Sequence, residues 1–127
     1  MQPSIFTKII NKEIPAYIID ENDDFIAFLD VFPLAKGHVL VVPKKQVDYI
    51  FDLEPEIYAG LWSFANKIAK RIEKAIPCKR IGIAVIGLEV PHAHVHLIPL
   101  QSVEDINFTR PKLILTKEEF EELMMII

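Results

Sequence analysis

The sequence predicts an α+β fold: a five-stranded, mainly antiparallel sheet with one long helix and shorter ones. Three observations carry that prediction. Five short runs rich in Val, Ile, Leu and Phe are bounded by turn-forming residues. One stretch beginning at Pro55 repeats its apolar residues at intervals of three and four. Strands and helices do not alternate as regular β-α-β units, so a parallel sheet is not expected.

The elements follow in order. Ser4 can cap a short helix over residues 5–11, with Ile5 and Ile9 one turn apart on one face. Pro15 ends that segment. Residues 16–20 read as a strand, Glu21, Asn22, Asp23 and Asp24 as a turn, and residues 25–29 as the second strand of a hairpin. A loop over residues 30–36 carries Pro33, and Gly37 breaks it. The dense β-branched run over residues 38–42 is a buried strand stopped by Pro43. Pro55 suits a first helical turn. Ile57, Leu61, Phe64, Ile68 and Ile72 then mark the inner face of a long helix ended by Pro77. Lys67, Lys70, Arg71 and Lys74 near its end suit the negative pole of the helix dipole. Residues 81–86 and 93–100 are the last two strands, with Gly87 between them. Thr116 and Glu119 form a capping-box pattern, and Phe120, Leu123, Met124 and Ile127 line one side of a terminal helix.

Composition narrows the function. The chain has 127 residues, 51% of them hydrophobic, which excludes intrinsic disorder and fits one domain over residues 1–127. A net charge of −4 lacks the basic footprint of a general nucleic-acid binder, although local donors can still hold one small phosphorylated ligand. The single cysteine, Cys78, forms no internal disulfide and no cysteine-based zinc framework, and reads as an incidental loop thiol. No apolar run is long enough to cross a bilayer, and residues 1–12 do not read as a signal peptide. The expectation is a soluble cytoplasmic protein without a membrane partner.

The chemistry concentrates in the histidines. Of four in the chain, His92, His94 and His96 alternate with Ala93, Val95 and Leu97. On a strand this period puts the imidazoles on one face and the apolar residues in the core. Such a row fits two functions. Alternate histidines can share a metal, although only His38 remains as a further histidine ligand and no carboxylate is obviously placed. Alternatively a neutral imidazole can act as a nucleophile near neutral pH, with its neighbours positioning it and protonating a leaving group.

The run His92-Ala93-His94-Val95-His96-Leu97-Ile98 resembles the motif of the histidine triad family, His-φ-His-φ-His-φ-φ. Three further segments resemble its small phosphoramidase-type branch in order and spacing: residues 5–16, residues 27–30, and Gly37-His38-Val39-Leu40-Val41-Val42-Pro43-Lys44-Lys45. The resemblance covers most of residues 4–100; the tail over residues 101–127 adds nothing to it. It implies the histidine triad fold and a homodimer formed by the long helix and a neighbouring strand; Trp62, between core positions on that helix, suits a subunit interface. It implies hydrolysis or transfer at the α-phosphate of a purine nucleotide or nucleotide conjugate, without a cofactor. By the same resemblance His94 is the nucleophile, His96 contacts phosphate and leaving group, and His92 with His38 hydrogen-bonds behind the nucleophile. Asp30 accepts from ribose hydroxyls, and Ile5, Phe6, Ile9, Phe28 and Val31 form the slot for the base. Lys44 and Lys45, which follow a strand, read either as solvated side chains or as local positive potential near phosphate. A dinucleoside polyphosphate hydrolase, or a nucleotide-binding module with little catalysis, is the alternative, and a metal-binding protein the third choice.

The sequence departs from the family pattern around Gly87, which is kept. Ile81 and Leu88 stand where many relatives have Asn and Gln, and Glu89 stands where a hydroxyl residue faces the phosphate. A carboxylate at Glu89 is expected to slow turnover or to favour a cationic leaving group. Ser4 and Thr7 occupy the places of a zinc-binding Cys-x-x-Cys found in some relatives, and hydroxyls are poor zinc ligands, so no structural zinc is expected.

Overall fold

The structure is a computed structural model that describes residues 2–127. Its elements are α1 (Ile5–Ile10), β1 (Ile18–Glu21), β2 (Phe25–Leu29), β3 (Val39–Pro43), α2 (Pro55–Ala75), β4 (Arg80–Ala84), β5 (Val95–Leu100) and α3 (Lys117–Ile126). Single 3₁₀ turns precede α2 at Ile50–Asp52 and follow β5 at Val103–Ile106. The five strands form one sheet in the order β1-β2-β3-β5-β4, and every neighbouring pair is antiparallel. The expected fold class and strand count are therefore found.

Period-two alternation divides the sheet into two faces. Phe25, Ala27 and Leu29 of β2, Val39 and Val41 of β3, and Val95 and Leu97 of β5 join Leu61, Phe64, Ile68 and Ile72 of α2 in the larger core. These are the helix positions that the three–four spacing marks, and each fully buried Leu or Ile contributes about 2–3 kcal/mol. Phe120 and Leu123 of α3 close the same core. The opposite residues, Ile26 and Phe28 of β2 with Leu40 and Val42 of β3, pack under Phe6 and Ile9 of α1. Leu40 pairs with His96 across β3 and β5, so the histidine row lies on the α1 face.

Helix ends match their sequence signals. The Thr7 N–H donates to Ser4 Oγ at 3.0 Å. Thr116 and Glu119 exchange two hydrogen bonds of 3.1 Å each. Strand ends differ from expectation. β4 stops at Ala84 because its last partner is His96; Val85 and Ile86 have no strand beside them. β5 begins at Val95, so His92 and His94 lie on the approach to the strand rather than within it. β1 begins at Ile18, two residues later than the sequence reading, beside a register irregularity. Ile5 does not share the burial of Ile9: it is 51% exposed at the rim of α1, and Phe6 fills the inner position.

Candidate active site

The four histidines meet at one end of the α1 face, and all are buried. Three of them have their protons placed by backbone groups. His92 faces the carbonyl oxygen of Pro43 with Nε2 at 2.7 Å, so Nε2–H donates there. Its Nδ1 therefore accepts, and Ser4 Oγ–H supplies that bond at 2.7 Å. His94 Nδ1 lies 2.7 Å from the His92 carbonyl oxygen, so Nδ1–H donates. The neutral ring then keeps a bare lone pair on Nε2.

His38 sits just ahead of β3, where the Leu34 N–H donates to its Nδ1 at 3.0 Å. A neutral His38 must then carry its proton on Nε2. That nitrogen is 2.9 Å from His96 Nδ1, which accepts. His96 in turn holds its own proton on Nε2. One backbone N–H thus sets the tautomer of two rings fifty-eight positions apart in the chain. His38 stands behind His96, whereas the family resemblance placed it with His92 behind His94. His94 is held by the backbone of His92 rather than by its ring.

Burial is the first cause of every shift here. It pushes His38 down to about 3 and His96 down to about 4, with neighbouring His94, His96 and Lys112 charges acting in the same direction. His92 and His94 are also held below the ordinary imidazole value by burial, opposed by their carbonyl partners. All four rings are neutral at pH 7. Asp30 moves the other way: burial raises its carboxyl, while the Phe32 N–H bonded to Oδ1 at 2.9 Å and the charge of Lys112 oppose the rise. Its Oδ2 lies 3.5 Å from His38 Nε2.

Asp30, His38 and His96 present ligand atoms within 4.8 Å of one another. Their hydrogen-bond pattern does not suit a metal. Ligation through His38 Nε2 would require a proton on Nδ1, where the Leu34 N–H already points. The zinc positions of some relatives fare no better. Ser4 and Thr7 hydroxyls are bound into a cluster with Gln46 and His92: Thr7 Oγ1 donates to Gln46 Oε1 at 2.7 Å, and the Ser4 N–H donates to the same oxygen at 2.8 Å.

The expected slot residues are dispersed in exposure. Phe6 packs edge-on to His94 at 4.9 Å between ring centres and lies 5.6 Å from Phe28, so both are part of the wall beside the histidines. Ile9 lies with them in the buried cluster, whereas Ile5 and Val31 are exposed. Gly87, at φ +72°, lines a cleft of about 460 Å³ with His94, Leu88, Tyr49, Phe51 and Trp62. Trp62 Nε1–H is buried there without a hydrogen-bond partner among the described residues. Glu89 is exposed, and Lys44 is tied to Glu21 at 2.9 Å. The tail, silent in the sequence, reaches the site. The Phe108 ring lies edge-on to His96 at 4.8 Å and to His38 at 6.3 Å. An aromatic and a lysine in a loop without periodicity, Phe108 and Lys112, were the only sequence signal for it.

Neutral, hydrogen-bonded histidines converge beside a cleft, and the lone pair on His94 Nε2 is chemically able to attack an electrophilic centre. Comparison with known proteins gives the chain its family. The HIT domain model matches residues 11–103. An uncharacterized HIT-like protein of Borreliella burgdorferi is 36% identical, covering 98% of this chain and 96% of its own. An adenosine 5'-monophosphoramidase of Saccharomyces cerevisiae is 37% identical over 75% of this chain and 61% of its own. The crystal structure of a Hit-like protein from Bartonella henselae superposes with TM-score 0.83 at 34% identity, covering 96% of this chain and 91% of that one. The chain belongs to the histidine triad family, whose members are generally nucleotide hydrolases and transferases.

Proposed function

We propose that this protein cleaves purine nucleotide conjugates, phosphoramidates foremost, at the α-phosphorus through a nucleotidyl-histidine on His94. The observation that carries the reading is the Nδ1–H bond from His94 to the His92 carbonyl, which leaves Nε2 unprotonated. Attack forms an Nε2–P bond as the bond to the leaving group breaks. The cation that develops on the ring strengthens its bond to the carbonyl, so the stabilisation is greatest in the transition state. Water then releases the nucleoside monophosphate. His96 offers Nε2–H to the phosphoryl oxygens or the departing atom, and His38 holds it in that tautomer. Asp30 keeps unoccupied lone pairs for ribose hydroxyls, and Phe6, Ile9 and Phe28 back the base slot, with Ile5 and Val31 at its rim. Glu89 acts only through its field, because it is exposed. The yeast relative's activity supports a phosphoramidate as the substrate class.

The same reading includes a homodimer. β4 is an edge strand with Ile83 exposed, and the adjoining cleft carries the exposed rings of Tyr49 and Phe51, surfaces that a second copy would cover. Turnover of a fluorogenic adenosine phosphoramidate with chelator present tests the activity. Wild-type turnover should persist, and His94→Ala should lose at least about 10³-fold in kcat/KM. No turnover by the wild type, or an unaffected variant, overturns the reading.

A further inference from the structure

The C-terminal segment leaves β5, makes the 3₁₀ turn Val103–Ile106 and folds back across the site. It is held at several points. Asp105 accepts from the backbone of Gln101 and Ser102 at 2.7 and 3.0 Å. Arg110 pairs with Asp105 at 3.3 Å, and the Leu113 N–H donates to the Pro33 carbonyl at 2.8 Å. Lys112 Nζ reaches back to the Phe108 carbonyl at 2.7 Å. The strap so formed sets the half-buried Phe108 ring against the edge of His96, which is left 8% exposed.

We propose that Phe108 is a positioning residue for His96: its ring excludes water from the His38–His96 hydrogen bond and so keeps the His96 proton on Nε2, aimed at the substrate. The reasoning is local. His96 Nδ1 has one partner, His38 Nε2–H at 2.9 Å. Water admitted beside that nitrogen would compete for it and would solvate an imidazolium, so both the tautomer and the neutral state would loosen. The groups facing His96 are His94 beside it, His38 and Asp30 from the β2–β3 side, and Lys112 on the strap. None of the first three is a cation at pH 7, and Lys112 opposes protonation. Burial opposes it more strongly, and Phe108 supplies part of that burial. The functional consequence rests on the reading of His96 as a donor to phosphate; the effect on the ring itself does not.

Nitrogen-15 spectra of the histidine side chains, recorded across pH 4 to 8 without substrate, test the ring directly. The wild type should show His96 as the single Nε2–H tautomer down to about pH 5. In Phe108→Ala the two tautomers should mix, and the His96 midpoint should rise by about one pH unit. The acid limb of kcat/KM should move up with it, while Phe108→Leu, which still excludes water, should restore both. Phe108→Gln keeps a stem against His96 but admits water; it carries the same expectation should the alanine variant not fold. Unchanged tautomer and titration in a folded Phe108→Ala or Phe108→Gln would overturn the proposal. Shifted spectra with no wild-type turnover would leave it standing and remove the phosphoramidase reading instead.

Discussion

At the scale of single residues, the site is governed by backbone groups rather than by the imidazoles alone. Pro43 and His92 present carbonyls and Leu34 presents an N–H, and these three backbone groups place the protons of four rings. Ser4 serves both fold and site, since its Oγ accepts the Thr7 N–H as helix cap and donates to His92 Nδ1. Removing it costs a cap, about 1 kcal/mol. It also strands a buried acceptor, which costs about 1–3 kcal/mol. Thr7 Oγ1, 3.4 Å from the same nitrogen, can recover part of the second loss only by giving up its own bond to Gln46 Oε1. Ser4→Ala should therefore destabilise the protein by about 2 kcal/mol in urea unfolding. Activity should fall far less than in His94→Ala, because the Pro43 carbonyl still fixes the His92 proton. A stability loss below about 0.5 kcal/mol would show that the cluster is not coupled to α1.

At the scale of elements, what the sequence discloses depends on whether the signal is local. Alternation within β2, β3 and β5 and the three–four spacing of α2 mark residues that contact one another through regular geometry, so strands, helix and core were legible. The same alternation overran its element at Val85, Ile86, His92 and His94, because pattern does not reveal where a partner strand ends. The histidine row was legible from spacing, but the pairing of His38 with His96 was not; it depends on β3 and β5 meeting across an intervening helix and strand. Phe108 was illegible for the same reason, since only the fold-back of the strap gives it a neighbour. Turns show the contrast at one residue type. Gly37, at φ +93°, precedes His38, and a Cβ there would collide with Ile76 Cδ1. Gly87, at φ +72°, has open space around it. Gly37→Ala should cost about 2 kcal/mol, from backbone strain plus the shift of the Ile76 methyl end, and should lower kcat by displacing His38. Gly87→Ala should cost only about 1 kcal/mol. Paired urea midpoints decide the matter; equal losses would mean that the packing of Gly37 against Ile76 is not what fixes the turn.

At the scale of the whole molecule, the buried histidines make stability depend on pH in a definite direction. The folded values of His38 and His96, about 3 and about 4, lie below the ordinary 6.5, and His92 and His94 are lowered as well. Between those limits the unfolded chain binds more protons than the folded one, so unfolding takes up protons and stability falls as the pH is lowered. Their contribution is complete above about pH 6.5 and is lost as pH drops toward 4 and below. Glu21, held below its ordinary value by hydrogen bonds from Lys12 and Lys44, pulls the same way at still lower pH. Asp30 opposes them: burial raises its carboxyl, so its contribution is present below the unfolded value of 3.8 and is lost as pH rises through the folded one. Asp30 alone acts against the four imidazoles and Glu21. Urea midpoints should be level from pH 8 to 7 and should fall steadily from pH 6.5 to 4, and the slope near pH 5 should correspond to uptake of more than one proton on unfolding. His38→Asn should flatten that slope by removing the most strongly lowered ring. A midpoint that stays level from pH 7 to 5 would mean that the rings are protonated in the folded protein. The single-tautomer arrangement on which both His94 and His96 depend would then not exist.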